Sequence, residues 1–345
     1  MNNKPKIAIN GFGRIGRLLF RQAFDKFDFV AVNDLGDINN AAYLLKYDTV
    51  YRTFEKPVSV VSEGGKNYLQ VDSKKVMVLQ EKEPSLLPWK DLNIDVAVEA
   101  TGVFESFEKA SAHLQAGAKK VVITAPAKDE ERDDAKTVLL GLNEDQFKVC
   151  KITANGSCTT NATHPVAAIM HEAIGVKKAM LNSIHGYTAT QGLVDGVVGG
   201  RSKDYRRGRA AAMNIVPATS GVTISVTRVL KALEGKFDGM AMRIPVITGS
   251  LADFTFVAAR PTSVEEINDI FRKAAQDPRW KETVAVVEDP IVSSDVIGMP
   301  YGAIIDLSFT RVADGDLVKV FAWYDNEWGY VTTLIKHIQK AAETL

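Results

Sequence analysis

The sequence predicts an α/β protein in two parts: a parallel sheet covered by helices on both faces, then an α+β part with a mostly antiparallel sheet. Up to about residue 156, short apolar strands alternate with amphipathic helices, as in parallel sheets. After Gly156 the strands are longer and alternate apolar with polar residues, as antiparallel strands do. The 345 residues suffice for two domains of about 100 to 200 residues each.

The first part opens with a strand, a tight turn and a helix. Residues 6–10 form a short apolar run, a glycine-rich turn follows, and apolar residues then recur at helical spacing. We predict further strands at 29–33, 94–98, 121–124, 138–142 and 149–154, and a helix at 105–114. Strands separated by helices predict a parallel sheet.

The second part combines helices with longer strands. Residues 251–260 alternate, with Phe254, Phe256 and Ala258 on one face. Apolar residues at helical spacing predict a helix from Val222 that ends at Gly235, and a capping box formed by Ser263 and Glu266 opens another. A last amphipathic helix closes the chain. This part is therefore predicted to be α+β.

Composition and charge exclude several classes of protein. Lysine plus arginine number 42 and aspartate plus glutamate number 42, so the zero net charge argues against a dedicated nucleic-acid binder. No apolar stretch approaches the about 18 residues of a membrane span and no signal-peptide pattern is present, so we expect a cytoplasmic protein. The two cysteines, Cys150 and Cys158, form neither a disulfide framework nor a zinc site, and we expect no metal.

The turn after the first strand carries the pattern G-x-G-x-x-G. Gly11, Gly13 and Gly16 allow a sharp turn and a close approach of a pyrophosphate to the helix N-terminus. Asp34 ends the next strand, where a carboxylate binds an adenosine ribose and repels a 2′-phosphate. A glycine-rich turn that only connects two elements is the alternative. The combination predicts dinucleotide binding, with NAD preferred over NADP.

Cys158 is the candidate nucleophile. It lies in a polar run, NGSCTTN, between a strand that ends near Ala154 and a helix. Backbone N–H groups and the helix dipole favour a thiolate at such a position. Pro165 leaves open whether the helix begins at Cys158 or near the proline. A buried structural cysteine is the alternative, and Cys150, inside a predicted strand, is expected to be packed and inert.

Among the five histidines, His185 is the candidate general base. It follows a predicted strand at 180–184 and enters a small polar turn, from which an imidazole can reach a thiol. A structural role for His185 is the alternative. His113 and His337 lie on amphipathic helices and are expected to be solvated, while His164 and His171 share a helix face that points away from Cys158.

Four motifs, in this order, resemble those of phosphorylating glyceraldehyde-3-phosphate dehydrogenases. They are GFGRIG at 11–16, SCTTN at 157–161, HGYTATQ at 185–191 and WYDNEWGY at 323–330. The resemblance runs from the first strand to the last helix. It implies a Rossmann NAD(P)-binding domain at 1–156, a catalytic domain at 157–325 and a C-terminal helix at 326–345 that returns to the first domain. It also implies a homotetramer.

The resemblance implies the oxidation of glyceraldehyde 3-phosphate with NAD, in glycolysis or gluconeogenesis. Cys158 would attack the aldehyde, His185 would take up the proton, and inorganic phosphate would release a thioester as 1,3-bisphosphoglycerate. Thr188, Thr190 and Arg243 match the site of the substrate phosphate, and Ser157, Thr159, Arg207, Ser220 and Gly221 match the site of the attacking phosphate. Cofactor contacts are matched by Gly11, Gly13, Arg14, Ile15, Gly16, Asp34, Lys82, Thr124 and Asn326.

Three departures from the family pattern bear on the chemistry. Ala162 stands where relatives carry a second cysteine, so we expect oxidation of Cys158 to give a sulfenic acid. Ser220 replaces a threonine and keeps the hydroxyl. Gly200 and Arg201 stand where NAD-specific relatives have leucine and proline, so the use of NADP stays open.

Two alternative functions stay open at this point. An erythrose-4-phosphate dehydrogenase would use the same nucleophile and base, and Thr188, Thr190 and Tyr324 argue against it. A non-catalytic NAD-binding scaffold is compatible with the fold, and the presence of both Cys158 and His185 argues against it. The basic run at 201–209 is interpreted as a loop near the phosphate sites and a subunit contact.

Overall fold

The computed structural model describes residues 4–198 and 204–345. The chain divides into two compact units. The first contains the residues up to Val138, Asn143–Gly156 and Leu334–Leu345, and the second contains Leu139–Leu142 and Ser157–Thr333. Within the described ranges, no helix is both long and apolar enough to cross a membrane.

The first unit is built on a sheet that is parallel except near one edge. Its strands are β1 (Lys6–Asn10), β2 (Asp28–Asn33), β3 (Val58–Glu63), β4 (Lys66–Val71), β5 (Lys74–Leu79), β6 (Val96–Glu99), β7 (Lys120–Ile123), β8 (Ala135–Thr137) and β9 (Ile152–Ala154). Its helices are α1 (Arg14–Ala23), α2 (Ile38–Lys46), α3 (Phe107–Ala110) and α4 (Ala112–Gln115), with 3-10 turns at Pro84–Leu86 and Glu144–Lys148. The strand order is β3-β4-β5-β2-β1-β6-β7-β9-β8, with antiparallel pairing of β4 to β3 and to β5. The predicted α/β class is confirmed.

The strand order reverses between β1 and β6. From β1 the chain crosses to β2 on one side, and it later reaches β6 on the other side of β1. Open α/β sheets form a crevice at the carboxyl ends of two such strands. Here those ends are Asn10 and Glu99, which pair in register. The topology therefore places the glycine turn that follows Asn10 at the crevice.

The second unit packs helices against one face of a mixed sheet. Its strands are β10 (Val176–Gly186), β11 (Val216–Thr219), β12 (Phe237–Ile244), β13 (Ser250–Ala258), β14 (Val284–Val287), β15 (Ala303–Ala313) and β16 (Leu317–Tyr324). Its helices are α5 (Cys158–Ile174), α6 (Val222–Val229) and α7 (Val264–Ala274), with 3-10 turns at Tyr205–Gly208 and Lys231–Leu233, and α8 (Trp328–Ala342) begins here. The strand order is β11-β12-β10-β13-β16-β15-β14, and only the pairs β10–β12 and β14–β15 of this order are parallel. The sheet is mostly antiparallel, as predicted.

The core of the second unit lies between this sheet and its helices. Phe254 and Phe256 of β13 are each 1 % exposed and belong to one cluster with Val166 of α5, Val226 of α6 and Phe271 of α7. Full burial of a side chain of this size stabilises a fold by about 1.5 to 3 kcal/mol. The core therefore holds α5 rigidly against the sheet.

Several local predictions fail. The strand predicted at 149–154 begins only at Ile152, and the helix predicted to end at Gly235 ends at Val229, where a 3-10 turn follows. The predicted strand at 138–142 is wrong, because β8 ends at Thr137 and Gly141 has a φ of +80°, which breaks extended pairing. Leu139 and Leu140 are buried without forming a strand, and an apolar run alone does not separate these cases. The strands β3 to β5 and the helix α2 were not predicted.

Candidate active site

Cys158 is the first residue of α5, directly after the turn that leaves β9. Ser157 caps the helix, since its Oγ accepts from the Thr160 N–H and its own N–H donates to Thr160 Oγ1, each over 3.1 Å. This capping box fixes the first turn. The helix then continues through Pro165 to Ile174, so it begins at the cysteine rather than at the proline.

The Sγ atom of Cys158 lies 3.3 Å from Nε2 of His185, near the carboxyl end of β10. Nδ1 of His185 lies 2.7 Å from the carbonyl oxygen of Gly186 and 2.5 Å from Nη1 of Arg243. A proton on Nδ1 is donated to the carbonyl and leaves the Nε2 lone pair facing the thiol. In that tautomer His185 can act as a base, and Arg243, which can only donate, has to turn its N–H from Nδ1 to the Gly186 carbonyl, 3.3 Å away.

Burial controls the protonation of this pair. Burial raises the pKa of the Cys158 thiol, and the charge of Arg243 and hydrogen bonds with Thr159 only partly oppose it. Burial, followed by the charge of Arg243, lowers the pKa of His185 to about 3. The resting pair is therefore a neutral thiol beside a neutral imidazole. The N-terminus of α5 was predicted to favour a thiolate, and in the resting state burial outweighs it.

Tyr324 holds both sides of the Cys158 and His185 pair. Its hydroxyl lies 3.1 Å from Thr159 Oγ1 on α5 and 2.8 Å from Ser183 Oγ on β10. Its ring meets the His185 ring edge to face, with 5.9 Å between the centroids. Burial raises the pKa of Tyr324, so its phenol stays protonated and can donate.

Part of the predicted phosphate set lies together. The hydroxyls of Thr188 and Thr190 are 3.0 Å apart, and Nη1 of Arg207 donates to Thr190 Oγ1 over 2.9 Å. The neighbouring arginines of the basic run are paired with carboxylates, Arg206 with Asp204 and Arg209 with Asp195. Arg207 instead has a hydroxyl as its partner, so its charge is available to an anion. Gly200, Arg201 and Lys203 lie outside the described residues.

The other predicted phosphate residues are arranged differently. Ser220 and Gly221 lie at the amino end of α6, where the Val222 N–H is 3.4 Å from Ser220 Oγ. Ser157 Oγ belongs to the cap of α5, and Thr159 Oγ1 faces Tyr324. In the described part of the chain, no hydrogen bond joins Ser220 or Gly221 to the Thr188, Thr190 and Arg207 group.

The glycine turn after β1 allows close backbone contact. Gly11 has a φ of +95°, and a Cβ added there would lie 2.6 Å from the carbonyl carbon of Ala100. A Cβ on Gly16 would lie 2.2 Å from the carbonyl oxygen of Gly11. Both positions therefore require glycine, whereas Gly13 faces open space at the amino end of α1. The helix N-terminus is left accessible to a pyrophosphate.

Asp34 anchors this turn from the end of β2. Its Oδ2 accepts from the Phe12 N–H over 2.8 Å, and its Oδ1 accepts from the Gly36 N–H over 2.9 Å. A carboxylate has about four acceptor positions, so acceptor capacity remains for ribose hydroxyls. Asp34 thus combines a fixed position with a free acceptor.

A cavity of about 310 Å³ lies between the amino end of α1 and the ends of β6 and β7. The residues that line it include Gly13, Arg14, Ile15, Glu99, Ala100, Thr101, Gly102 and Thr124. The guanidinium of Arg14 pairs with Asp48, so Arg14 offers the cavity mainly its backbone. Lys82 is exposed in the segment after β5. Glu99 and Thr101 were not among the predicted site residues, although Glu99 directly follows the strand predicted at 94–98 and Thr101 lies two residues further on.

Asn326 is oriented by three donors in the second unit. Its Oδ1 accepts from the Thr248 hydroxyl and the Gly249 N–H, each over 3.2 Å, and from the Ser250 hydroxyl over 2.8 Å. A backbone N–H can only donate, so this face of the amide must be its oxygen. The Nδ2 group then points the other way, as needed to donate to a carboxamide oxygen. Within the first unit, the glycine turn and Asp34 fit the pyrophosphate and the adenosine ribose of a dinucleotide.

Two predictions about histidines are wrong. His113 and His337 were expected to be solvated, but both have no exposed surface. Nδ1 of His113 accepts from Trp89 Nε1 over 3.0 Å, and Nε2 of His337 lies 2.7 Å from Thr153 Oγ1. These partners come from distant segments, so helical periodicity could not reveal them.

The ring of His164 has partners other than Cys158, as predicted, whereas Cys150 lies before β9 (Ile152–Ala154) and not inside the strand predicted at 149–154. The ring nitrogens of His164 each lie 3.0 Å from a backbone carbonyl oxygen, of Thr160 and of Leu140, so the ring does not serve Cys158. Burial lowers the pKa of His164 to about 4. Cys150 is 1 % exposed, and burial raises the pKa of its thiol, as expected of a packed residue.

Comparison with known proteins gives a consistent result along the chain. The family model described as the NAD binding domain of glyceraldehyde 3-phosphate dehydrogenase matches residues 5–107, and the model described as its C-terminal domain matches residues 157–326. Glyceraldehyde-3-phosphate dehydrogenase 1 of Streptomyces avermitilis is 43 % identical over 345 residues, which cover 99 % of each chain. The Thermotoga maritima enzyme of that name is 45 % identical over 339 residues, which cover 97 % of this chain and 98 % of the relative.

Proposed function

The chain belongs to the glyceraldehyde-3-phosphate dehydrogenase family, and from this we propose that it oxidises glyceraldehyde 3-phosphate to 1,3-bisphosphoglycerate with NAD and inorganic phosphate, a reaction of glycolysis and gluconeogenesis. The observation that carries the proposal is the 3.3 Å contact between Cys158 Sγ and His185 Nε2 at the start of α5. The comparisons support neither an erythrose-4-phosphate dehydrogenase nor a non-catalytic scaffold, since the relatives found over nearly the whole chain carry the glyceraldehyde-3-phosphate dehydrogenase name.

The reaction begins with a covalent bond at Cys158. Its sulfur attacks the substrate aldehyde while Nε2 of His185 takes and keeps the thiol proton, which gives a hemithioacetal alkoxide beside a protonated His185. In the resting site Arg243 lies 2.5 Å from Nδ1 of His185 and lowers its pKa. When Arg243 donates to the substrate phosphate, the phosphate charge offsets its own, so His185 becomes a stronger base once substrate is bound.

The second half of the reaction releases the product from the same sulfur. Oxidation of the hemithioacetal to a thioester requires a hydride acceptor, which is the chemistry that NAD supplies when bound. Inorganic phosphate then attacks the thioester carbonyl, the carbon–sulfur bond breaks, and His185 returns the proton to Cys158. We assign Thr188, Thr190 and Arg243 to the substrate phosphate, and Arg207, with Ser157, Thr159, Ser220 and Gly221, to the attacking phosphate. The hydrogen bond from Arg207 to Thr190 connects the two sites.

Mass spectrometry of the intact protein tests the covalent step. Incubation with glyceraldehyde 3-phosphate and NAD in the absence of phosphate should add one phosphoglyceroyl group, and fragmentation should place it on Cys158. Addition of phosphate should remove it. An adduct that maps elsewhere, or a Cys158→Ser variant that acquires the same adduct, contradicts the proposed nucleophile.

We propose that the enzyme is a homotetramer. In the second unit the core helices pack against one face of the sheet, and the opposite face carries exposed apolar side chains, among them Met180, Met240 and Phe309. Such a patch is typical of a subunit interface. Light scattering after size exclusion should give four times the chain mass, and a monomer at micromolar concentration contradicts the proposal.

We also propose a cytoplasmic location. A nucleophilic thiol such as Cys158 must stay reduced to work, and reducing conditions are those of the cytoplasm. Fractionation of the source cells should find the activity with cytoplasmic markers, and recovery of the activity outside the cytoplasm contradicts the proposal.

A further inference from the structure

A buried polar cluster lies at the crevice end of β1 and β6, and the mechanism above does not use it. Its centre is Glu99, which is 2 % exposed and lines the 310 Å³ cavity. Oε2 of Glu99 lies 2.6 Å from Nδ2 of Asn10 and 3.0 Å from Nε2 of His113. Oε1 accepts from the Thr101 N–H over 2.8 Å and from the Thr101 hydroxyl. Four donors from three segments therefore meet on one carboxyl group.

Further contacts fix the direction of these hydrogen bonds. The indole N–H of Trp89 donates to Nδ1 of His113 over 3.0 Å, so the ring proton is on Nε2 and is donated to Glu99. Nδ2 of Asn33 donates to Oδ1 of Asn10 over 2.7 Å, which leaves the Asn10 amide N–H for Glu99. An ionised carboxylate accepts at both oxygens and satisfies all four donors. A glutamine in place of Glu99 would replace one carboxylate oxygen with an NH2 group, so the donors that point at that oxygen would have no acceptor.

The cluster also joins the two walls of the cavity. Asn10 directly precedes Gly11, and a Cβ added to Gly11 would lie 2.6 Å from the backbone nitrogen of Thr101. That same nitrogen donates to Glu99. The Glu99 side chain thus binds both the residue before the glycine turn and the loop on which the turn packs.

We propose that Glu99 is a positioning residue for NAD: its carboxylate holds the Gly11 turn and the Thr101 loop at the spacing that the dinucleotide needs, without contact to the reacting atoms. The inference rests on the proposed NAD-dependent function and concerns the first unit alone. Residues assigned to the substrate belong to the second unit. The effect should therefore fall on the cofactor and not on glyceraldehyde 3-phosphate.

Titration calorimetry with NAD, without substrate, tests the proposal on the full chain. Glu99→Gln keeps the size of the side chain and should raise the Kd for NAD at least about tenfold, since two buried donors lose their acceptor. The KM for glyceraldehyde 3-phosphate at saturating NAD should change less than twofold. Trp89→Phe removes a donor of the same cluster that lies away from the cavity lining, and it should leave the Kd for NAD within twofold.

The outcomes separate the possible roles. A folded Glu99→Gln variant with an unchanged Kd overturns the proposal, and so does an equal loss of NAD binding in Trp89→Phe, which indicates a purely structural cluster. If Glu99→Gln does not fold, Thr101→Val should weaken NAD binding while Thr101→Ser preserves it, and equal Kd values for that pair overturn the proposal. If the unmodified chain does not bind NAD, the proposed function itself is wrong.

Discussion

Removal of the His185 imidazole should slow the reaction by at least two orders of magnitude. The ordinary pKa of a cysteine thiol is 9.0, and burial raises that of Cys158 above it. Without an internal base, at most about 1 % of the enzyme would carry a thiolate at pH 7, which corresponds to about 3 kcal/mol at 1.36 kcal/mol per pH unit. We therefore expect His185→Asn to lower kcat at least about 100-fold, within the usual range for a general base.

Steady-state rates of NADH formation, measured from about pH 7 to 9, test this reasoning. In His185→Asn the rate should rise about tenfold per pH unit, because deprotonation by solvent replaces the missing base. The unmodified enzyme should lack this slope, since the pKa of His185, about 3, lies far below the range. His171→Asn is the matched control, because His171 lies near the other end of α5 and only accepts from the Val176 N–H. If His185→Asn keeps more than about a fifth of kcat at pH 7, the role of His185 is refuted.

Three further predictions concern cofactor choice, stability and oxidation. Asp34→Asn should reduce the preference for NAD over NADP in kcat/KM by about tenfold, because it removes a charge that repels a 2′-phosphate, and an NADP preference of the unmodified enzyme contradicts this role. Burial lowers the pKa of His337 from 6.5 to about 3, so the unfolded chain binds more protons between these values and stability falls as the pH drops. In denaturant titrations, the decrease in the free energy of unfolding from pH 7 to pH 5 should be about 2 kcal/mol smaller in His337→Phe than in the unmodified enzyme. Equal decreases in the two proteins refute the effect ascribed to His337. Peroxide should convert Cys158 to a sulfenic acid, whereas a Cys150–Cys158 disulfide as the main product in mass spectrometry contradicts the prediction.

The parts of the site that depend on local sequence could be predicted. The glycine turn at Gly11 follows from a strand, a close approach and a helix that are adjacent in the chain, and Cys158 lies at a strand-to-helix junction that its neighbours define. The pairing of Cys158 with His185 rested on a weaker argument, because it joins residues 27 positions apart. The location of His185 at the end of a predicted strand was the observation that indicated the pair.

The parts that depend on distant contacts could not be predicted. The sequence around His113 indicates an amphipathic helix, and only the fold brings His113 to Glu99 and Trp89. His337 meets Thr153 across 184 residues of sequence. Burial of a polar ring is favourable only when hydrogen-bonding partners exist, and helical periodicity does not reveal partners from distant segments. The desolvation that raises the pKa of Cys158 also comes from distant segments, so the local sequence shows only the opposing effect of the helix N-terminus.

The dependence of NADH formation on inorganic phosphate tests the central claim most directly. With glyceraldehyde 3-phosphate and NAD present, the unmodified enzyme should turn over only when phosphate or arsenate is added, and Cys158→Ser should be inactive under both conditions while still binding NAD. These results are required if a thioester on Cys158 is released by phosphate. Turnover without phosphate, or activity that survives Cys158→Ser, would contradict the account.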